Sequence, residues 1–331
     1  MTGHSKKESI SRKDFIRAGA VGAMGLGLGL NETLAAEQLA PAKSPARAKV
    51  VLVRLKAAMT AEGQKDAGVL DAMLGKTLCA YTGENDPVAA LGHFIKPGDS
   101  VGVKMNVMMT PTHSELMACL ARMLVRLGVK EEKIIIWDRD NAGVGIEGAF
   151  TRNRKYGFDP ESVSRIITDE CTALINIPAF KSHWLSGVGG ALKNWCGAVT
   201  KINVRDVDTP YPIHKDSCAD MGRLAAIEAI RSRFRLVIID ALRPLFEGGP
   251  QVNPEYLWHY GGLLASEDQV AADAICTELL TKKREQYKGE PWPLSPPPKH
   301  VELADTRYGL GVSDRGKIDL IATGEEKDRL I

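Results

Sequence analysis

The chain has 331 residues and a nearly balanced charge, with 43 Lys and Arg residues against 41 Asp and Glu residues. Residues 1–36 carry five of the basic and three of the acidic residues, which leaves 38 of each in the rest of the chain. This balance argues against nucleic acid or an anionic membrane surface as a partner. The six cysteines form no C-x-x-C pair, which argues against a zinc ribbon or an iron–sulfur cluster.

The first 36 residues have the pattern of an export signal. Basic residues precede a glycine-rich apolar stretch at 18–30, too short to span a bilayer comfortably, and the small residues Ala35 and Ala36 follow it. The sequence S-R-K-D-F-I at 11–16 resembles the twin-arginine motif, with a lysine in place of the second arginine. We therefore predict a twin-arginine-type signal over 1–36, a linker over 37–48 and a single α/β domain over 49–331.

This prediction has consequences for location and partners. The chain would engage the twin-arginine export machinery, which transports proteins that are already folded. The mature protein would have no stable membrane span and would be periplasmic or otherwise extracytoplasmic.

Apolar runs and helical spacings alternate along the rest of the chain. Strands are predicted over 49–55, 100–104, 133–137, 162–168, 173–178, 235–239, 261–265 and 317–321. Helices are predicted over 66–81, 86–94, 114–127, 147–156, 220–233, 269–282 and 300–308, with Asp268 as the cap of the helix at 269–282 and an irregular segment over 206–217. The alternation is typical of an α/β fold with a doubly wound, mainly parallel sheet and helices on both faces.

The stretch at 174–200 is the densest in polar side chains that could bind a ligand. Lys181 and His183 follow a strand that is predicted to stop at Pro178, and three glycines then lead to Lys193 and Asn194. In open α/β sheets, ligands bind beyond the carboxyl ends of the strands, and glycines let the backbone approach them. The alternative is a solvated loop with two ordinary lysines.

Other predicted strands also end in polar residues, namely Lys104 with Asn106, Asp138 and Asp240. If these strands are parallel, their carboxyl ends share one edge of the sheet, and the side chains converge on one site. A strand-end aspartate can equally cap a helix, so structural roles for Asp138 and Asp240 stay open.

Several motifs resemble the domain of unknown function 362 family. They are P-x-x-K-x-H at 178–183 with G-A-L-K-N at 190–194, V-G-V-K-M-N at 101–106, I-I-D-A at 238–241, G-G-P at 248–250 and L-L-A-S-E-D-Q-V-A-A-D-A at 263–274. The resemblance extends over about residues 49 to 321. It implies no particular activity, and the ferredoxin-like cysteine module of some members is missing here.

One hypothesis is an enzyme that acts on a small anionic, carboxylate-bearing substrate by acid/base or metal-assisted chemistry. Imidazole titrates near neutral pH, so His183 would be the general acid/base. The predicted catalytic residues are His183, Lys181 and Asp240. The predicted substrate-binding residues are Lys104, Asn106, Lys193, Asn194, Gly189 and Gly190.

A divalent transition metal is one candidate cofactor, although the sequence does not identify it. The predicted ligands are His113, His183 and Asp138, and a set of two histidines and one carboxylate from His113, His183 and Asp240 is a second grouping. His113 stands directly before a helix, where a cap or a packing residue is the alternative.

Two further hypotheses need no catalysis. The chain could be a periplasmic binding or carrier protein for a metal, a cofactor or a solute, and the same lysines would then hold the ligand. It could also be an accessory protein of a respiratory assembly, which would need an exposed apolar patch. Whether the chain is an enzyme therefore stays open at this point.

Overall fold

The computed structural model describes residues 44–139, 156–202, 211 and 213–331. All of them belong to one compact unit, Pro41–Ile331. The predicted signal over 1–36 and most of the helix predicted at 147–156 lie outside the described residues.

The described strands form a mixed sheet of nine strands, in the order β3-β2-β4-β7-β8-β1-β9, with β5 paired to β7 and β6 paired to β5. All pairings along this order are parallel except those of β8, which is antiparallel to both neighbours. The strands are β1 (Ala48–Arg54), β2 (Val101–Met105), β3 (Ile134–Trp137), β4 (Ala173–Ile177), β5 (Ala179–His183), β6 (Gly187–Gly189), β7 (Phe234–Leu245), β8 (Gly262–Ser266) and β9 (Ile318–Gly324). The predicted α/β fold with a mainly parallel sheet is confirmed.

The helices alternate with the strands along the chain and pack on the sheet. They are α1 (Ala67–Thr82), α2 (Pro87–Leu91), α3 (Ser114–Leu127), α4 (Ala191–Asn194), α5 (Gly222–Ala225), α6 (Glu228–Arg231), α7 (Gln269–Lys288) and α8 (Lys299–Thr306). Asp66 caps α1 and Asp268 caps α7, each with a carboxylate that accepts a backbone N–H of the first turn. Within the described ranges, no helix combines the length and the apolarity needed to cross a membrane.

The strands bury both faces, so the sheet separates two apolar cores. In β1, Val50 and Leu52 join one core, whereas Val51 and Val53 join the other. Helices α1, α2 and α3 pack in the second core, while α7 and α8 pack in the first. Because successive side chains of a strand point to opposite faces, this division places helices on both faces of the sheet.

The predicted strand end at Pro178 is only a one-residue interruption. Pro178 cannot donate to the ladder, but its carbonyl accepts the Asp240 N–H at 2.9 Å, and the chain resumes as β5 beside the second half of β7. Strand β7 is 12 residues long and pairs with β4 first and β5 afterwards. Asp240 therefore lies inside β7, and the prediction that it ends a strand was wrong.

Two other predicted elements differ in the structure. The strand predicted at 162–168 is replaced by a π-helical turn, Ile166–Glu170. Ile166 and Ile167 are both buried in the same core, which a strand cannot achieve with adjacent residues. The helix predicted at 220–233 is broken at Ile227, whose ψ of 124° is not helical.

Candidate ligand-binding site

A cavity of about 500 Å³ opens at the carboxyl ends of β2 and β3, against the β5–β6 hairpin and α4. Eight of the predicted site residues line it: Asn106, Asp138, Lys181, His183, Gly189, Gly190, Lys193 and Asn194. Lys104 lies directly behind this wall, paired with Asp138. The sheet thus brings together the polar residues predicted on β2, β3 and the stretch at 174–200.

Lys104 and Asp138 form a buried ion pair, with 2.7 Å between Lys104 Nζ and Asp138 Oδ1. Lys104 also donates to the Met105 carbonyl at 2.6 Å and to Asn194 Oδ1 at 3.2 Å, so all three of its protons have acceptors. Burial lowers the pKa of Lys104, and the Asp138 charge opposes that decrease. This lysine supports the cavity wall and is not available to a ligand.

Asp138 is also fully engaged. Its Oδ2 accepts the Val107 N–H at 2.8 Å, and its Oδ1 accepts the Arg139 N–H at 2.7 Å. The carboxylate therefore fixes the backbone on both sides of the cavity wall and neutralises Lys104. These contacts give Asp138 a structural role in the described part of the chain.

Amide side chains connect this ion pair to the rest of the fold. Asn194 Nδ2 donates to Asn176 Oδ1 at 2.7 Å, and Asn176 Nδ2 donates to Gln269 Oε1 at 2.9 Å. Gln269 Oε1 also accepts the Trp195 indole N–H at 2.6 Å. Because each buried amide is paired, the network holds α4 and its cavity-facing side chains in one arrangement.

Lys181 on β5 fixes the loop that follows β2. Its Nζ donates to Asn106 Oδ1 at 2.7 Å, to the Met108 carbonyl at 2.9 Å and to the Thr110 carbonyl at 2.7 Å. Burial in the first place, and the charge of Lys193 next, lower its pKa to about 7. No carboxylate within the described residues pairs with it, so its charge adds to the positive potential of the cavity.

His183 is a neutral ring with a defined tautomer. Burial and the charges of Lys193 and Lys181 lower its pKa to about 2. Its Nδ1 accepts the Leu185 N–H at 3.1 Å, so Nδ1 carries the lone pair and Nε2 carries the proton. In this arrangement His183 offers a ligand a hydrogen-bond donor, whereas a general base or a metal ligand would need a free lone pair at Nε2.

Lys193 and Arg139 are the cations most accessible to a ligand. Both are partly buried and line the cavity, and the Arg139 guanidinium donates to the Cys196 carbonyl. Among the described residues that line the cavity, Asp138 is the only acidic one, and Lys104 already neutralises it. The cavity therefore carries an excess of positive charge.

The glycines of the stretch at 174–200 fit tightly against charged side chains. A Cβ on Gly190 would lie 2.0 Å from Asp273 Oδ1, and a Cβ on Gly197 would lie 2.0 Å from Asp138 Oδ1. Asp273 accepts the N–H groups of Ala191 at 2.6 Å and Leu192 at 3.0 Å, at the start of α4. Close approach to these carboxylates accounts for the absence of a side chain at both positions.

His113 and Asp240 lie apart from this cavity. They pair with 2.8 Å between His113 Nδ1 and Asp240 Oδ2, and His113 lines a second cavity of about 290 Å³. Burial alone would lower the pKa of His113, but the charge of Asp240 and its hydrogen bond to the ring together outweigh burial and raise the pKa. Burial raises the pKa of Asp240 and His113 lowers it, with a net decrease. The structure therefore does not unite Asp240 with Lys181 and His183.

The predicted metal ligands are not brought together either. Asp138 and His183 line the first cavity, whereas His113 lines the second. Across residues 44–139, 156–202, 211 and 213–331, no group of three His, Cys, Asp or Glu side chains could hold a metal ion. His113 is held at the second cavity by its pairing with Asp240, which lies inside β7.

Three titratable residues that line the cavity were not among the predicted site residues: Arg139, Cys196 and His214. Burial and the charges of Lys193 and Arg139 lower the pKa of His214 to about 4. The Cys196 thiol lies 3.9 Å from Lys193 Nζ, which agrees with the sequence position of both in one helical turn. His214 lies within the segment predicted to be irregular, 206–217, and no local sequence pattern places it at the cavity.

A family model matches part of this chain. A search of curated proteins finds none similar to this chain. Residues 161–278 match the model of a family described as Domain of unknown function (DUF362), and this span runs from before β4 into α7. It contains Lys181, His183 and Lys193, whereas the V-G-V-K-M-N motif at 101–106 lies outside it. The part of the chain that includes the stretch at 174–200 is therefore similar to the DUF362 family.

Proposed function

We propose that this chain binds a small carboxylate in the 500 Å³ cavity. The observation that carries the proposal is the Lys193 ammonium, which has no carboxylate partner in the described ranges and faces a cavity with excess positive charge. A ligand carboxylate would accept from Lys193 and Arg139, and the Nε2–H of neutral His183 would donate to it. Pockets of 300–1,000 Å³ with a few convergent polar groups are typical of small-molecule sites.

Binding is favoured over acid/base catalysis by the state of the three predicted catalytic groups. The Lys181 ammonium donates to three acceptors of the loop after β2. His183 has its proton on Nε2, and Asp240 lies in β7, paired with His113. None of these groups is a free base in the cavity. The arrangement fits a binding or carrier protein, which needs charge and shape but no proton transfer.

The test is isothermal titration calorimetry with simple carboxylates on the wild type and on Lys193→Met. Loss of one charge-assisted hydrogen bond should weaken binding roughly ten- to hundredfold. Lys76→Met is the control, because Lys76 is an exposed lysine of α1 outside the cavity. Equal affinities for the wild type and Lys193→Met, or measurable turnover of the bound carboxylate, would contradict the proposal.

We further propose that this binding takes place outside the cytoplasm, because residues 1–36 resemble a twin-arginine signal. Fractionation of cells that express the full chain tests this. The protein should be found in the periplasmic fraction, and Arg12→Lys should retain it in the cytoplasm. Equal distributions of the two chains would contradict the twin-arginine route.

A further inference from the structure

Exposed apolar side chains gather at the mouth of the cavity. The exposed fraction is 50% for Met108, 48% for Met109 and 58% for Trp184, and all three line the cavity. Deeper in the same cavity, Lys181 and Asn194 are 5% and 6% exposed. The cavity is thus polar and cationic inside and apolar at its entrance.

The fold holds these apolar side chains in place. The backbone N–H of Trp184 donates to the Gly249 carbonyl at 2.9 Å. The indole ring of Trp184 stacks on the His183 ring, with 6.2 Å between ring centroids and 13° between ring planes. The carbonyls of Met108 and Thr110 accept from Lys181 Nζ on either side of Met109, whose φ is +59°. A non-glycine residue with positive φ is uncommon, so a specific backbone shape presents this pair of methionines.

Apolar surface at a cavity entrance indicates what the occupant carries at that end. Trp184 offers a ring face for stacking, and methionine sulfurs make favourable contacts with aromatic rings. The inner cations select a negative charge at the other end. A single molecule with both features, small enough for 500 Å³, satisfies the whole cavity.

We infer that the ligand is an aromatic carboxylate, with its carboxylate at Lys193 and Arg139 and its ring between Trp184 and the pair Met108 and Met109. This inference rests on the proposed carboxylate binding and adds the chemical class of the ligand. The ring would cover side chains that are now about half exposed, and the ring burial would add to the charge interaction.

Calorimetric titration with acetate, phenylacetate, indole-3-acetate and the neutral phenylacetamide tests the inference. The two aromatic acids should bind about ten- to hundredfold more tightly than acetate, as expected for burial of one aromatic ring. Trp184→Ala should remove most of this advantage of the aromatic acids over acetate. Lys193→Met should weaken all three acids.

Controls separate failure of the inference from failure of the proposed function. Tyr287→Ala removes another exposed aromatic ring, outside the cavity, and should change no affinity. Thermal unfolding of each variant confirms that it is folded. If aromatic acids and acetate bind equally well and both depend on Lys193, the aromatic inference is wrong and carboxylate binding stands; the apolar mouth would then fit a protein partner instead.

Two further outcomes decide between the proposals. If phenylacetamide binds as tightly as phenylacetate, the cavity recognises the ring without the charge, and carboxylate binding is contradicted. If no acid binds at all, both the proposed function and the inference are overturned.

Discussion

At the scale of single residues, the site depends on buried charges that have no room to move. The charges of Lys104 and Asp138 neutralise each other, and Asn194 Oδ1 accepts a hydrogen bond from the Lys104 ammonium. Removal of one partner from such a pair leaves an uncompensated buried charge, which is strongly destabilising. The structure of the cavity wall is therefore sensitive to any atom added beside this pair.

Gly197→Ala is the smallest change that tests this sensitivity. The new Cβ would lie 2.0 Å from Asp138 Oδ1 and 2.8 Å from Lys104 Nζ, so the ion pair must separate. We expect chemical denaturation to show a loss of about 3–5 kcal/mol in the free energy of unfolding. Gly98→Ala is the control, because no atom lies within 4 Å of its new Cβ, and a loss below about 0.5 kcal/mol is expected there.

The pair of His113 and Asp240 predicts a pH dependence of stability. The folded pKa of His113 is raised, so its contribution is fully present below its unfolded pKa of 6.5 and is lost as pH rises through the folded value. His113→Asn keeps an amide near the position of Nδ1 but cannot become charged. The difference in unfolding free energy between wild type and variant should therefore be larger at pH 5.5 than at pH 8.5. A constant difference across this interval would contradict the assignment.

The residue scale also shows what sequence reasoning could achieve for the site. Lys104, Asp138 and Lys181 could be grouped because each follows or ends an apolar run, and parallel strands share one edge. Lys193 could be added because the glycines after Lys181 lead to it. Asp240 had the same local pattern but was misassigned, because only the length of β7 reveals that the strand continues. The tautomer of His183 depends on one backbone N–H and has no sequence signature.

At the scale of elements, caps connect helices to distant segments. Asp268 Oδ1 accepts the Ala271 N–H at 2.9 Å within α7, and its Oδ2 accepts the Val312 N–H at 2.8 Å from the segment after α8. The cap was predicted from the sequence and is confirmed. The second contact could not be predicted, since it joins positions 44 residues apart.

This double contact predicts an unequal effect of two cap substitutions. Asp268→Ala removes the cap and leaves a buried N–H of Val312 without its acceptor, for an expected loss of about 2–4 kcal/mol. Asp66→Ala removes only an exposed cap of α1, for an expected loss of about 1 kcal/mol. Thermal or chemical unfolding measures both, and equal losses would show that the Val312 contact contributes nothing.

Elements with a strong apolar pattern were predicted well, and polar buried ones were not. The bounds of α3 agree with the prediction at both ends, because its apolar stripe is regular and Gly128 terminates it with φ +98°. The β5–β6 hairpin was missed because both strands are short, and their sequences, A-F-K-S-H and G-V-G, are partly polar or glycine-rich. Their burial comes from pairing with β7 and from the Lys181 contacts, which are tertiary effects.

At the scale of the whole molecule, the cavity couples ligand binding to protonation. Lys181 has a pKa of about 7 without ligand, and a carboxylate nearby favours its ammonium form. Carboxylate affinity should therefore decrease as pH rises through 7 and beyond, and binding near pH 7 should take up protons. Calorimetry in two buffers of different ionisation enthalpy measures that uptake. A pH-independent affinity between pH 6 and 9 would contradict the role of Lys181.

The fold class was predictable because it needs only the alternation of elements, whereas strand order needs contacts between distant segments. The prediction of a mainly parallel sheet is confirmed. No local sequence pattern predicts that β8 is antiparallel or that β1 pairs with β9. Residues 106–109 line the first cavity and residues 110–115 line the second, and the sequence shows no boundary between them.

The three hydrogen bonds of Lys181 join positions that are 71 to 75 residues apart in the chain. Contacts of such separation close large loops, and their entropic cost must be offset by the structure on either side. The loop carrying Met108 and Met109 is held by Lys181 of β5, and β5 pairs with β7. The shape of the cavity entrance therefore depends on the completed sheet, although the loop itself contains no strand.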